Sequence, residues 1–156
     1  MSTPITPAGG STSSATGRTH VVVVYSDDPA VRAGVRGAVG RRPAPDLGRV
    51  EWVECTTGAE VLAAVGTQGS ALDLVVLDGE AWPAGGMGLA KQLKDEVRDS
   101  PPTLLLVGRK ADAWLADWSL ADAVVPHPID APDLTAAVAG LLRARDSGLP
   151  ARLHGG

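Results

Sequence analysis

Acidic side chains follow two separate apolar runs of the sequence, and their chemistry is that of hard oxygen ligands. Ser26, Asp27 and Asp28 come directly after a run of four valines and a tyrosine, and Asp78 comes directly after a second apolar run. Carboxylates that are brought together repel one another unless a cation joins them, and oxygen ligands with room for water favour Mg²⁺. Asp27, Asp28 and Asp78 are therefore candidate Mg²⁺ ligands, provided that the fold brings the two runs together.

Other kinds of reactive site lack the residues they need. The single cysteine, Cys55, excludes an internal disulfide and a thiolate zinc site, and its position in an apolar strand indicates a buried thiol. The Gly-rich stretch 85–88 contains neither the Gly-x-Gly-x-x-Gly nor the Gly-Lys-Ser/Thr pattern of phosphate-binding loops. No Ser/His/Asp or Cys/His arrangement stands out, so the sequence predicts no enzyme.

Five short apolar runs alternate with amphipathic stretches, a pattern that is typical of βα units on a parallel sheet. The predicted strands are 21–25, 50–55, 72–77, 103–107 and 123–125. The first has four successive valines, which suits a strand that is buried on both faces. Ligands of such sheets bind beyond the carboxyl ends of the strands, where the acids of this sequence lie.

Local capping signals place the ends of several helices. Asp27 or Asp28 caps the first helix and Gly40 ends it, while Thr57 begins a capping box that opens a second helix through 64 or 65. A third helix follows a glycine-rich loop and begins at residue 89. Asp130 caps the last helix. A further helix between the fourth and fifth strands completes the five βα repeats.

Length and composition suit one soluble globular domain. The chain has 156 residues, of which 44% are apolar and 21% charged, and its formal net charge of −4 argues against nucleic acid and anionic membranes as partners. Residues 1–19 are mostly Ser, Thr, Pro, Gly and Ala and predict a flexible tail, 20–144 form the domain, and 145–156 form a second flexible tail without an effector domain. No apolar run is long enough to cross a membrane, and we expect a cytoplasmic protein.

The acids and the predicted elements together resemble the receiver domains of bacterial two-component response regulators. The resemblance is carried by the segments 21–32, 73–78 and 124–129, which read VVVVYSDDPAVR, DLVVLD and VVPHPI. It implies an α/β, flavodoxin-like, doubly wound (βα)₅ fold with a five-stranded parallel sheet. In receivers, the aspartate after the third strand accepts a phosphoryl group from a histidine kinase, and acids after the first strand hold Mg²⁺. By resemblance, Asp78 is the phosphoacceptor, and Asp27 with Asp28 are the metal acids.

Four positions depart from the receiver pattern. Ser26 stands where the pair of acids usually begins, and Val107 holds the place of the Ser or Thr that bonds a phosphoryl oxygen. His127 replaces the lysine that pairs with the phosphate, and Val124 replaces a switch aromatic. Each lost hydrogen bond removes about 1 to 3 kcal/mol from the phosphorylated state. His127 substitutes in part for the lysine if nearby acids keep it protonated; alternatively it only shapes a turn with a cis bond to Pro128.

A narrower resemblance points to a partner. Segments 77–96 and 114–119, together with Pro126-His-Pro128, are similar to stand-alone actinobacterial receivers associated with the proton-pumping NADH:quinone oxidoreductase, respiratory complex I. The resemblance implies an accessory or regulatory subunit docked on the cytoplasmic arm of that complex. Trp82, Trp114 and Trp118 are candidate partner-binding residues. Alternatively, Trp114 and Trp118, four residues apart, lie on the core face of their helix.

Two functions follow from these observations. The first is an effector-less receiver that acts as a protein-binding module independently of phosphorylation, most specifically on complex I. The alternative is a single-domain phosphorelay receiver that a histidine kinase phosphorylates on Asp78. No cofactor is required by the first function, and Mg²⁺ would accompany the second.

Overall fold

The computed structural model describes residues 17–81, 85–97, 99–108 and 120–148. Within them, the chain forms five strands and four α-helices. The strands are β1 His20–Tyr25, β2 Val50–Cys55, β3 Leu74–Asp78, β4 Thr103–Val107 and β5 Ala123–Pro126. The α-helices are α1 Pro29–Val39, α2 Gly58–Gln68, α3 Gly86–Glu96 and α4 Ala131–Ser147, and a 3₁₀ turn spans Gly69–Ala71. The predicted helix with Trp114 and Trp118 lies outside the described residues.

The sheet has the order β2-β1-β3-β4-β5, and every neighbouring pair of strands is parallel. One face of the sheet packs against α1 and α4 through a core that includes Val24, Val35 and Leu134. The other face packs against α2 and α3 through a core that includes Val61 and Leu93. Helices therefore cover both faces, which confirms the predicted doubly wound sheet and explains why every residue of β3 and β4 is buried.

The predicted starts of α1, α2 and α4 are confirmed. Asp28, rather than Asp27, is the N-cap of α1, and its carboxylate accepts a hydrogen bond from the Ala30 N–H at 2.9 Å. Thr57 opens α2 with a complete capping box, and Asp130 caps α4. The helix α2 runs past its predicted end to Gln68, because the chain does not break until Gly69, where φ is +52°.

Three other element boundaries differ from prediction. β3 begins at Leu74 instead of residue 72, since the 3₁₀ turn Gly69–Ala71 and its hydrogen bond from Leu72 N–H precede it. The helix α3 begins at Gly86, three residues before the predicted start, inside the glycine-rich stretch. The end of α4 lies at Ser147, beyond the predicted domain limit at residue 144, because Arg145 donates to the Leu72 carbonyl and anchors the last turn.

Arg18, which falls within the predicted tail 1–19, forms ion pairs with Asp73 and Asp146 at 2.6 and 3.0 Å. These ion pairs join it to residues far along the chain. No helix in the described part of the chain has the length and apolar character that a bilayer-spanning segment needs.

Candidate functional site

The carboxyl ends of β1, β3, β4 and β5 meet at one edge of the sheet and form an acidic cleft of about 460 Å³. This is the edge at which doubly wound sheets bind ligands. The acids that the sequence singles out do come together here, since the cleft is lined by Asp27, Asp28, Val31, Asp78, Glu80, Gly108 and His127. We refer to this site as the acidic cleft.

Asp78 is the last residue of β3 and lies almost fully buried, with 3% of its surface exposed. The Ser26 hydroxyl donates to its Oδ2 at 2.7 Å, and the Glu80 N–H donates to its Oδ1 at 2.9 Å. His127 Nε2 lies 3.6 Å from the same Oδ1. Protein donors therefore already compensate for the burial of this carboxylate, as a buried charge requires.

The residue after Asp78 must be glycine because the chain passes close to β4 at this point. The Gly79 N–H donates to the Leu106 carbonyl at 2.7 Å, and a Cβ at Gly79 would lie 2.6 Å from the same oxygen. That distance is shorter than a carbon–oxygen contact allows. The close approach fixes the end of β3 and, with it, the direction in which the Asp78 carboxylate points.

Ser26 is fully buried and lies at the centre of a hydrogen-bond network. Besides donating to Asp78, its Oγ accepts a hydrogen bond from the Asp28 N–H at 3.1 Å. Its carbonyl accepts from Arg32 Nη1 at 2.6 Å, and its N–H donates to the Cys55 carbonyl at 3.2 Å. The serine thus replaces a negative carboxylate by a donor that directly stabilises Asp78.

Asp28 and Asp78, two of the predicted metal acids, accept hydrogen bonds from other groups of the protein. Asp28 uses its carboxylate to cap α1, and both oxygens of Asp78 accept hydrogen bonds. Among the residues that the structure describes, no three His, Cys, Asp or Glu side chains are grouped so that they could hold a metal ion. The assignment of Asp27, Asp28 and Asp78 as metal ligands therefore stays a prediction from the sequence.

The acids do make the surroundings electronegative. Burial, and then the negative charges of Asp27 and Asp78, raise the pKa of the Tyr25 hydroxyl above its ordinary value. Tyr25 ends β1, and its ring is almost fully buried in the core below the cleft. An anion that enters the acidic cleft meets this negative field.

Gly108, and not Val107, is the position at the end of β4 that faces the cleft. Val107 is 1% exposed and packs in the core on the α2 and α3 face, and its assignment as the altered Ser or Thr position of the phosphate pocket stays a prediction. Neighbouring strand residues point to opposite faces, which explains why one step changes the environment. A Cβ at Gly108 would lie 2.7 Å from the Glu80 Cδ, so the Glu80 carboxylate fills the space of a side chain there.

His127 lines the cleft directly after the end of β5. Its N–H donates to the Val107 carbonyl at 2.7 Å, and its side chain is one-quarter exposed. The His127-Pro128 peptide bond is cis, as the resemblance implies. In the described part of the cleft, the imidazole is the group that would supply positive charge when it is protonated.

A charged network that was not predicted from the sequence lies at the opposite, amino-terminal edge of the sheet. Asp73 immediately precedes β3, its side chain is 2% exposed, and it accepts from the Val21 N–H at 2.9 Å and from Arg18 Nη2 at 2.6 Å. Burial raises the pKa of Asp73, but hydrogen bonds from Arg18 and the Val21 N–H outweigh it, so the pKa lies below its ordinary value. His20 extends the network to Asp146, whose Oδ1 lies 2.9 Å from its Nε2.

A second buried aspartate likewise accepts a hydrogen bond from a strand N–H, in this case of β4, and pairs with a basic side chain. Asp122 immediately precedes β5 and accepts from the Thr103 N–H and from Lys94 Nζ, both at 2.8 Å. An aspartate directly before an apolar run is the signal that both positions share, and it marks a carboxylate that satisfies a buried strand N–H.

The candidate partner-binding residues Trp82, Trp114 and Trp118 lie outside the described residues.

Comparison with known proteins decides the family. No protein-family model matches the sequence. The chain is 50% identical over 123 residues to the uncharacterized response regulatory protein Rv3143 of Mycobacterium tuberculosis, across 79% of this chain and 91% of that protein. The chain belongs to the response regulators. A second relative, the uncharacterized response regulatory protein MT3230 from another strain of the same species, shows the same 50% identity over 123 residues.

Solved structures agree on the fold of this response regulator. It superposes on a response regulator receiver domain protein from Clostridium thermocellum with a TM-score of 0.68 and 17% identity, covering 83% of this chain and 99% of that chain. The receiver domain of the Francisella response regulator 1452 gives a TM-score of 0.66 and 18% identity, covering 80% and 97%. The domain is therefore a receiver with the predicted five-stranded parallel sheet, and the acidic cleft occupies its carboxyl-terminal edge.

Proposed function

We propose that this receiver is a protein-binding module whose recognition does not depend on phosphorylation of Asp78. The observation that carries the proposal is that the acidic cleft supplies neither of the usual phosphate contacts: neither Val107 nor Gly108 at the end of β4 offers a hydroxyl, and His127 replaces the lysine. A phosphoryl group adds about −1.5 to −2 charges. It would enter beside Asp27, Asp28 and Glu80 and compete with the Ser26 hydroxyl for Asp78.

The partner that we propose is respiratory complex I, the proton-pumping NADH:quinone oxidoreductase, with the receiver as an accessory or regulatory subunit on its cytoplasmic arm. The support is the resemblance of segments 77–96 and 114–119 to receivers associated with that complex. Such docking places the protein in the cytoplasm, at the face of the membrane, through its partner.

Copurification tests this function. We would express a tagged wild-type protein and the Asp78→Asn variant in the native host, solubilise the membranes in mild detergent and quantify the captured proteins by mass spectrometry. We expect both to capture complex I subunits in equal yield, because the variant removes the phosphoacceptor but keeps its size. Capture of no membrane dehydrogenase by either protein would refute the partner, and capture by the wild type alone would refute phosphorylation-independent binding.

A specific observation favours a second function, the phosphorelay receiver. Asp78 Oδ1 faces His127 at 3.6 Å on the cleft side, where a phosphodonor would approach. In this function a histidine kinase transfers the phosphoryl group to Asp78, and residues after β1 hold Mg²⁺. Incubation with acetyl phosphate and Mg²⁺, followed by intact-mass spectrometry, tests it. Addition of one phosphoryl group to the wild type, but not to Asp78→Asn, would support phosphotransfer, and no addition to either would rule it out.

A further inference from the structure

A continuous chain of hydrogen bonds leads from the acidic cleft to the surface formed by α1 and β2. The buried Ser26 hydroxyl donates to Asp78 Oδ2, and the Ser26 carbonyl accepts from Arg32 Nη1. The same guanidinium donates through Nε to Glu54 Oε1 at 2.9 Å. Glu54 also accepts from Arg36 Nη1 at 2.6 Å. We call Asp78, Ser26, Arg32 and Glu54 the Ser26 relay.

The members of the Ser26 relay range from the core to the surface in order. Asp78 and Ser26 are buried, the Arg32 side chain is 14% exposed, and Glu54 is 38% exposed. The inner hydrogen bonds lie where water does not compete, and three of the contacts involve a charged group, so they are stronger than neutral bonds between exposed groups. A change at the inner end therefore has a physical connection to a side chain that partners can reach.

Arg32 is suited to this role because one rigid guanidinium bonds both neighbours. Its Nη1 and Nε point to Ser26 and Glu54 at the same time, so a shift of the Ser26 carbonyl must rotate the group that holds Glu54. A second connection supports the first, since the Ser26 N–H bonds the Cys55 carbonyl at the end of β2. Ser26 thus holds the carboxyl end of β2 through its carbonyl and through its N–H.

We infer that Ser26 and Arg32 are positioning residues that transmit the state of the Asp78 carboxylate to the α1–β2 surface. Any event that takes Oδ2 away from the Ser26 hydroxyl, whether modification, a bound ligand or substitution, releases that hydroxyl and alters the orientation of Arg32. The route towards β2 matters because Val107 and Val124 lack the hydroxyl and the aromatic ring that would transmit a signal towards β5. The inference goes beyond the proposed function and holds with or without phosphorylation.

Nuclear magnetic resonance of the ¹⁵N-labelled full chain tests the Ser26 relay. We would compare the wild type with Asp78→Asn, and Ser26→Ala with the Ser26→Ala/Asp78→Asn double variant. The signals followed are the Arg32 Nε–H and the backbone amides of Glu54 and Cys55. We expect Asp78→Asn to shift these signals when Ser26 is present, and the shift to be lost in the Ser26→Ala background.

Arginine variants provide a second test that leaves Ser26 in place. Arg32→Lys keeps the positive charge but has a single ammonium, which cannot bond Ser26 and Glu54 in the same geometry. We expect it to abolish the effect of Asp78→Asn on the Glu54 amide. Arg36→Lys is the matched control, because Arg36 pairs with Glu54 but is not a member of the chain to Ser26, and should preserve that effect.

Two results would overturn the inference. One is an effect of Asp78→Asn on the Glu54 and Cys55 amide signals that is as large in the Ser26→Ala or Arg32→Lys background as in the wild type. The other is the absence of any shift in the wild-type background. The Nε–H signal of Arg143, which belongs to a separate exposed ion pair with Asp46, serves as the internal reference and should not move.

Discussion

Restoring the two phosphate contacts that the acidic cleft lacks should convert it into a tight anion site. The variant is Gly108→Ser with His127→Lys, combined with Glu80→Ala because a Cβ at Gly108 would lie 2.7 Å from the Glu80 Cδ. A new hydroxyl contributes about 1 kcal/mol and a lysine contributes about 1.5 to 3 kcal/mol to binding of a phosphoryl mimic. A combined gain of about 2.5 to 4 kcal/mol corresponds to about 60- to 700-fold in affinity.

The assay is titration with beryllofluoride in the presence of Mg²⁺, followed by the amide signals of residues around the cleft. We expect the triple variant to bind far more tightly than the wild type, and Gly108→Ser alone to gain little, because the Glu80 carboxylate still fills the added space. The same triple variant with Asp78→Asn is the control and should not bind. Wild-type affinity as high as that of the triple variant would refute the reasoning that the missing contacts disable the cleft.

Three further predictions concern the framework. Asp73→Asn should lower the free energy of unfolding at pH 7 by about 1 to 3 kcal/mol, since it removes the charge that Arg18 and the Val21 N–H stabilise. Because the folded-state pKa of Asp73 is lowered, its contribution to stability is present above about pH 4 and is lost as the pH falls through that pKa. Urea unfolding should therefore give the wild type and the variant similar free energies of unfolding at low pH. A difference between these free energies that grows on acidification would contradict this prediction. Burial, and then the charge of Glu60, raise the pKa of Cys55 to about 11. A thiol reagent at pH 8 should therefore react slowly with Cys55 until urea unfolds the chain. Fast labelling of the folded protein would refute a buried thiol. Asp28→Ala should cost about 0.5 to 2 kcal/mol by removing the N-cap of α1, with Asp28→Asn milder in the same unfolding assay; equal losses would show that capping is not the cause.

The sequence predicts well those features that depend on local pattern. β2 and β4 have the predicted bounds, and Thr57 and Asp130 cap helices as expected, because apolar runs and capping residues act over a few positions. The strand order follows because alternating βα units on a doubly wound sheet leave few topologies. The meeting of Asp27, Asp28 and Asp78 at one cleft follows in turn from that order.

What the sequence does not predict depends on contacts between distant parts of the chain or on a single step of register. Val107 and Gly108 are neighbours at the end of an apolar run, and the side chain that faces the cleft is set by the pairing of β4 with β5. Likewise, the sequence around Arg18 does not predict its ion pair with Asp73, because that pair depends on the packing of β1 beside β3. The network around Ser26 joins β1, α1 and β2 and becomes visible only once they are assembled.

We propose that this receiver keeps the scaffold and the acceptor aspartate but recognises its partner without phosphorylation. The most direct measurement is the amide spectrum of the wild-type protein before and after acetyl phosphate with Mg²⁺, read at β5 and α4 on the side away from β2. We predict that the signals of Val124, Val125 and α4 keep their positions. A stable phosphoryl group on Asp78, accompanied by large shifts of the β5 and α4 amide signals, would contradict recognition that is independent of phosphorylation.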